Sequence, residues 1–267
     1  MYDVQVPYAY AASLSSGGAT SRVSTLGNNP SVDTATEPED VWSGATLGIL
    51  NGIDHKFIPK PQAPTSMEIV SDSANDIAAG TGARTILVAY LDANYAAKTT
   101  ILAMNGTTPV ALPETVMRVN MVTVVTSGTF GSNNIGNVSV RAAGGLGATY
   151  SYLVAGLGFA RSSLFTVPAN VSMDLLSIFV SINRVDTNTR AATFTLCNQN
   201  QAGRLIKGLE LAITSDSAYR HEAAGVPLIN YATRTDVWMR CESVNLSGTN
   251  VTASLFGYTR NAVNFTL

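Results

Sequence analysis

Residues 71–141 constrain the fold of this chain most strongly, because they alternate apolar, β-branched runs with turn-forming clusters. The clusters at 105–109 and 126–136 are rich in Gly, Asn, Ser and Thr. Val-, Ile- and Thr-rich runs that end in such clusters are typical of antiparallel strands. The four runs cover residues 83–92, 99–104, 116–125 and 137–141. This segment predicts a β architecture and names no substrate.

The same pattern continues along the chain. Further strands are predicted at 66–70, 149–155, 163–167, 171–184, 190–198, 205–214, 235–244 and 251–260. Apolar residues recur at period two in several of them, which places one face of each strand in a core. The residues expected to face inward are Phe194, Leu196, Leu211, Ile213, Val237 and Met239. About a dozen strands and no helix longer than a turn predict an all-β antiparallel sandwich or jelly roll with Greek-key connections.

Composition divides the chain into three parts. Residues 1–65 are rich in Ser, Gly, Asn, Thr and Pro and predict an extended N-terminal arm. Residues 66–145 and 146–267, separated by a Gly-rich passage at 142–148, are either two halves of one sandwich or two β domains. The arm either docks on a neighbouring chain or is a flexible tail. In the first case its partner-binding residues are Tyr2, Tyr8, Tyr10 and Trp42.

Charge and hydropathy limit the classes of partner. Charged residues make up 13% of the chain and hydrophobic residues 46%, with a mean hydropathy of +0.17. That is apolar for a monomer with water on every side, so part of the surface is expected to be covered by partners. The formal net charge of −2 gives no basic footprint for nucleic acid or anionic lipid.

The expected compartment is a cytoplasm. No apolar run approaches the roughly 20 residues that span a bilayer, and residues 1–7 lack the features of a signal peptide. Cys197 and Cys241 lie inside predicted strands without metal-ligand spacing. A reducing compartment disfavours disulfides, so both are predicted to be buried free thiols.

No motif predicts catalysis, a metal or another cofactor. His55 and His221 lie in polar connecting segments without a nucleophile motif nearby, so solvated loop histidines are expected. Asp72, Asp76 and Asp92 lie near loop ends, where they either meet at a calcium ion or cap turns. Their spacing matches no metal loop, which favours turns.

Several segments resemble virion structural proteins of tailed bacteriophages, of the head-decoration, cement or head-fibre type. The similarity covers roughly residues 66–260 and is strongest over 70–120. The segments that carry it are residues 70–85, 90–95, 104–110, 117–120, 165–169 and 250–258. The resemblance implies a non-enzymatic β protein that assembles in many copies, and it transfers no catalytic residues. The chain is less charged than a freely projecting fibre, which favours a position against a capsid shell or in a tail.

The leading hypothesis is a capsid-associated cement, decoration or head-fibre component, made in the host bacterial cytoplasm, whose arm binds neighbouring subunits such as the major capsid protein. Its β domain is expected to form a closed homo-oligomer, with a trimer favoured. One alternative is a tail, baseplate or receptor-binding component. Another class is a carbohydrate-binding or polysaccharide-degrading sandwich, with aromatic sugar platforms at Trp42, Trp238, Tyr150 and Tyr152.

Overall fold

A computed structural model describes residues 19–131, 133–183, 187–214, 217–223 and 226–261. Nearly all regular structure in these residues is β, and one short 3-10 helix spans Ser43–Leu47. The strands are β1 Ala19–Ser24, β2 Gly27–Val32, β3 Glu39–Asp40, β4 Ile49–Leu50, β5 Ile53–Asp54, β6 Thr65–Ser71, β7 Ala83–Asp92, β8 Ala97–Ala103, β9 Val110–Ser127, β10 Val138–Ala142, β11 Thr149–Leu153, β12 Phe165–Thr166, β13 Val171–Asn183, β14 Ala191–Gln199, β15 Leu205–Thr214, β16 Ala218–Glu222, β17 Ile229–Tyr231, β18 Asp236–Val244 and β19 Thr249–Asn261. The predicted all-β fold class is confirmed.

Two antiparallel sheets form a sandwich. The first has the order β1-β19-β13-β16, with β2 also on β19 and β17 also on β13; the second has the order β12-β18-β14-β15, with β3 on β18. Their inner faces share one apolar core. The six residues predicted from period two all lie in that core, which confirms the strand register: Phe194, Leu196, Leu211, Ile213, Val237 and Met239.

The third sheet forms a second unit with the strand order β11-β10-β6-β9-β7-β8. β9 is 18 residues long, and pairs with β6 through its first half and with β7 through its second. Four register shifts along the β7–β9 pair curve the strands, and the sheet encloses its own apolar core. We call this the curled sheet. Its last strand in sequence, β11, ends at Leu153.

The N-terminal segment differs from the predicted arm. From residue 19 onward it belongs to the sandwich: β1 and β2 together line one side of β19, and β3 pairs with β18. Residues 19–65 therefore do not form a separate arm, and that prediction is corrected: β1, β2 and β3 complete the sandwich, and β4 and β5 pair with each other in a small two-stranded sheet. The sequence did not predict this pairing, because β1 and β2 are short and polar and their partner β19 lies more than 200 residues away. Residues 1–18 lie outside the described residues.

Candidate functional site

The sandwich and the curled sheet meet at a junction built around one buried ion pair. Arg118 on β9 donates from Nε and Nη2 to the two carboxylate oxygens of Asp236 on β18, both at 2.9 Å. Its Nη1 donates to the carbonyl oxygens of Pro61 and Met117, at 2.8 and 2.7 Å. Thr166 Oγ1 adds a 2.6 Å hydrogen bond to Asp236. Arg118 and Asp236 are both buried, and such bidentate geometry fixes the relative orientation of two planar groups.

A second polar network lies beside the first. Asp40 is fully buried; its Oδ1 accepts from Trp238 Nε1 at 2.8 Å and from Arg240 Nε at 2.7 Å, and its Oδ2 accepts from the backbone N–H of Ile58 at 2.9 Å. Lys60 Nζ lies 3.7 Å from the centre of the Trp238 ring. Burial lowers the pKa of Lys60, because removing water disfavours the ammonium form, although Asp40 and Asp236 oppose the change. These contacts hold the segment between β5 and β6 against the sandwich.

A groove follows the junction at the surface. Two adjoining cavities, of about 370 and 330 Å³, share Ser24, Thr25, Asn120 and Met121. One wall is β1 and its continuation, through residues 21–26, and the other is formed by β7, β8, β9 and β11. Among the described residues that line it, Arg22 and Lys98 carry charge. We call this the junction groove.

The outer face of the curled sheet next to the groove carries no charge over three strands. β7 and β8 place Leu87 opposite Ile101, and β7 and β9 place Ala89 opposite Met121. Ile101 is 57% exposed and Met121 50% exposed. The nine side chains of this uncharged face are Thr85, Leu87, Ala89, Thr99, Ile101, Ala103, Met121, Thr123 and Thr126. Large apolar side chains exposed on an uncharged sheet face are typical of an interaction site.

The predicted aromatic residues separate into two groups. Trp42 is 1% exposed, and its Nε1 donates to the carbonyl oxygen of His55 at 2.9 Å, so it is part of the protein's own core and the prediction that it binds a partner is corrected. Trp238 is equally buried, which removes it as a sugar platform. Tyr150 and Tyr152 are half-buried strand residues. The other predicted contacts, Tyr2, Tyr8 and Tyr10, lie outside the described residues.

The two histidines differ in environment. His55 is fully buried: Nε2 accepts from the backbone N–H of Thr149 at 3.1 Å, and Nδ1 lies 3.0 Å from the carbonyl oxygen of Ile53. The expectation of a solvated loop is wrong for this residue, which links the β4–β5 hairpin to β11. His221 lies on β16 with its ring stacked on Tyr219, and their polar atoms are 3.2 Å apart.

The three aspartates accept backbone hydrogen bonds in loops, and Asp72 and Asp76 share the 135–137 segment as their partner. Asp76 is fully buried and accepts from the backbone N–H groups of Ala83, Ile135 and Gly136. Asp72 accepts from Asn137, and Asp92 from residues 94 and 96 in its own turn. The turn interpretation therefore fits Asp92, whereas Asp72 and Asp76 bind the distant 135–137 segment to their own loop. Within the described residues no group of three or more metal-ligating side chains comes together.

Both cysteines are free and buried, as predicted. Burial raises the pKa of Cys197 to about 11 and of Cys241 to about 12, because the apolar surroundings disfavour the thiolate. Cys241 lies in the sandwich core, and Cys197 packs with Trp42 and Trp238 at the junction. Both thiols are therefore poor nucleophiles.

Comparisons with known proteins do not assign this chain to a family. The sequence matches no protein-family profile, and no curated protein sequence is significantly similar to it. Among solved structures, a T=1 particle derived from infectious bursal virus aligns at 11% identity over 94% of this chain and 83% of that one, with a TM-score of 0.13. The VP2 subviral particle of infectious bursal disease virus aligns at 9% identity over 97% and 87%, with a TM-score of 0.14. Scores this low carry no inference about fold or function.

Among the described residues, no helix has the length and apolarity needed to cross a bilayer.

Proposed function

We propose that this chain is a non-enzymatic structural component of a virus particle, a capsid-associated cement, decoration or head-fibre protein of a tailed bacteriophage. In this proposal it binds neighbouring virion proteins, foremost the major capsid protein, and forms a homo-oligomer with a trimer favoured. It is made in the host bacterial cytoplasm and resides in the virion. Its mechanism is adhesion, in which many small contacts become durable because each later contact is effectively intramolecular.

The uncharged face of β7, β8 and β9 carries this proposal. Exposed Ile101 and Met121 lie in register with threonine and alanine side chains on a surface of three strands. Exposing such a face to water is unfavourable, and contact with another subunit removes that cost. The resemblance of residues 66–260 to phage virion proteins and the charged fraction of only 13% support the same conclusion.

Light scattering on the whole chain tests the oligomer. The full chain is required because removal of residues 1–65 would strip β1 and β2 from β19. At micromolar concentration we expect a discrete closed oligomer, and a stable monomer would overturn this part of the proposal. Met121→Lys, which puts a charge on the β9 side of the uncharged face, is expected to weaken the oligomer, whereas Leu146→Lys on the β10–β11 turn, outside this face, is the matched control.

Particle composition tests the location. Gradient-purified virions made with the gene intact are expected to contain the chain at a fixed copy number, and mass spectrometry with electron microscopy of labelled particles would show where it lies. Absence from purified particles would overturn the proposal. Density confined to the tail would favour the tail, baseplate or receptor-binding alternative.

A further inference from the structure

The curled sheet has two edge strands, β11 and β8, which differ in what covers their outer side. At β11, the backbone N–H of Thr149 donates to His55 Nε2 at 3.1 Å, and the carbonyl oxygen of Tyr152 accepts from Ser43 Oγ at 2.8 Å. The segment that contains Ser43 and His55 therefore covers that edge. β8 pairs with β7, and within the described residues no strand, bridge or backbone hydrogen bond is found on its other side.

The ladder between β7 and β8 shows which backbone groups of β8 point outward. At one end the Met104 N–H donates to the Arg84 carbonyl oxygen at 2.9 Å, and at the other the Asp92 N–H donates to the Ala96 carbonyl oxygen at 3.0 Å. Both bonds continue the unbroken register of the two strands. Hydrogen-bonded and non-hydrogen-bonded pairs alternate along an antiparallel ladder, so the even-numbered residues of β8 bond to β7. The residues that direct both N–H and C=O away from β7 are Ala97, Thr99, Ile101 and Ala103.

This edge is complementary to itself, because the outward residues are spaced evenly about Thr100. In an antiparallel pair centred on Thr100, Ala97 lies opposite Ala103 of the copy and Thr99 lies opposite Ile101. Every outward residue then meets another outward residue, and each such pair exchanges two hydrogen bonds. A slip of two residues would leave an outward residue of each strand without a partner. The edge therefore favours a single register with its own copy.

The charges of β8 agree with that register. Lys98 is the charged residue of β8, and its Nζ lies 4.0 Å from Asp92 Oδ2 of the same subunit. In the register centred on Thr100 it lies opposite Leu102 of the copy, where its aliphatic stem can pack while the ammonium stays near Asp92. The two Lys98 residues are then four positions apart, so like charges do not face each other. β15, an edge strand of the sandwich, carries Lys207 and Glu210, and charges on an edge strand discourage pairing.

We propose that β8 of one chain pairs antiparallel with β8 of a second copy, about a two-fold axis at Thr100, and joins the two curled sheets into one continuous sheet. An exposed edge is a template for another strand, and strand addition supplies backbone hydrogen bonds. The contact uses the β8 edge of both chains, so it closes and does not propagate.

The pairing also enlarges the uncharged face. Ile101 of one chain lies beside Thr99 of the other, so the uncharged strands β7, β8 and β9 of both copies form one surface. A two-fold axis normal to the sheet keeps both uncharged faces on the same side, where they stay exposed to a neighbouring virion protein. The inference rests on the proposed function and names one contact of its homo-oligomer. It fits a dimer, or a hexamer in which two trimers are joined, and does not fit an isolated trimer.

Disulfide trapping in the full-length chain tests the register. Thr100 and its copy form a non-hydrogen-bonded pair on the axis, with Cα atoms about 4.5 Å apart, which lies within the range of about 4.4–6.8 Å that a disulfide spans. Mild oxidation of Thr100→Cys is therefore expected to give a covalent species of twice the 28.0 kDa chain mass. The native Cys197 and Cys241 are buried and so contribute little background.

Lys98→Cys is the matched control, since it lies on the same strand and the same side-chain face. In the proposed register it is offset by four residues from its own copy, about 13 Å at roughly 3.3 Å per residue, which is too far for a disulfide. It is therefore expected to give no covalent dimer alone. A mixture of Lys98→Cys and Leu102→Cys chains is expected to give a covalent dimer that joins one chain of each kind.

Two outcomes overturn the inference. The first is the absence of a covalent dimer of Thr100→Cys, and the second is equal cross-linking of Lys98→Cys, which would show random collision in place of a fixed register. The function is tested separately. A chain found in virions whose Thr100→Cys variant does not cross-link refutes only this inference, whereas cross-linking of a chain that is absent from virions refutes only the function.

A proline on the edge gives a second readout. Thr99→Pro removes an N–H that points away from β7, so the β7–β8 ladder keeps its hydrogen bonds while the outer side of β8 loses a donor and gains a bulky ring. Light scattering is expected to show half the mass of the parent oligomer, with cooperative thermal unfolding of the subunit retained. Thr99→Val, which keeps the N–H, is the control and is expected to keep the parent mass. A Thr99→Pro chain that folds and keeps the parent mass would contradict the proposal.

Discussion

The curled sheet has two interfaces of opposite character, one with the sandwich and one with solvent. At the junction, Arg118 and Asp236 are buried, and both carboxylate oxygens and all three guanidinium nitrogens are hydrogen-bonded. On the outer face, β7, β8 and β9 present uncharged side chains, with Ile101 and Met121 at least half exposed. The junction therefore buries charge inside the subunit, while the outer face exposes apolar surface outside it.

The difference shows how each surface is used. A buried ion pair gives little net stability relative to an apolar pair, but it makes any misaligned docking of the two units costly, because an unpaired charge would remain buried. An exposed apolar face has the reverse property, since it tolerates many alignments and is satisfied by any complementary surface. The junction is suited to fixing one subunit structure, and the outer face is suited to association between subunits.

Breaking the junction is expected to have the largest effect. Arg118→Met leaves Asp236 buried without its cation and is expected to lower the free energy of unfolding by about 3–5 kcal/mol. Urea denaturation measures this. Lys207→Met, which removes the exposed partner of Glu242, is the control and is expected to cost about 0–1 kcal/mol. Equal costs for the two variants would show that the junction ion pair contributes no more than a surface pair.

A core substitution tests whether the junction couples the two units. Phe194 is fully buried between the sandwich sheets, so Phe194→Ala is expected to cost about 3–5 kcal/mol. Because the junction is buried and paired, the whole chain is expected to unfold in one transition that shifts as a unit. Separate transitions by calorimetry, with only one displaced, would mean that the curled sheet is independently stable. An unchanged melting temperature would contradict the assigned strand register.

Alkaline pH is expected to lower the free energy of unfolding through the buried thiol of Cys241. The pKa of Cys241 is raised to about 12 from an ordinary 9.0, so the unfolded chain loses this proton first and stability falls as pH rises from 9 towards 12. Between pH 8.5 and 10.5 the loss is about 2 kcal/mol for this thiol. Lys60 acts in the opposite direction, since its pKa is lowered.

Comparison with Cys241→Ala isolates the contribution of this thiol from that of Lys60. Urea titrations at pH 8.5 and 10.5 should show the smaller decline in the variant. A decline of the same size in both proteins would contradict the buried environment assigned to Cys241.

The outer face is expected to show the smallest effect on subunit stability. Met121→Lys adds a charge at a half-exposed position and is expected to change the free energy of unfolding by no more than about 0.5 kcal/mol. Dilution into a non-associating condition allows urea denaturation of the subunit alone. A large loss of subunit stability there would show that the face packs within the subunit and would end its contrast with the junction.

The sequence predicted those strands that a pattern within the strand's own residues reveals. β7 and β15 have the predicted bounds, and the period-two residues Phe194, Leu211 and Met239 are in the core. Alternation works because successive side chains of any strand point to opposite faces, whatever its partner. The burial of Cys197 and Cys241 was also predicted, because both lie inside predicted strands.

Only the tertiary structure decided which distant segments meet. β1 and β2 are polar, short and far in sequence from β19, so residues 19–65 read as an arm although they complete a sheet. The same applies to the junction, because the sequence gives no local signal that Arg118 faces Asp236, 118 residues along the chain. Trp42, predicted to bind a partner from the arm, and His55, predicted to lie in a solvated loop, are likewise buried. Local periodicity determines secondary structure and its inward face, whereas pairing across the chain depends on long-range geometry that no short window of sequence contains.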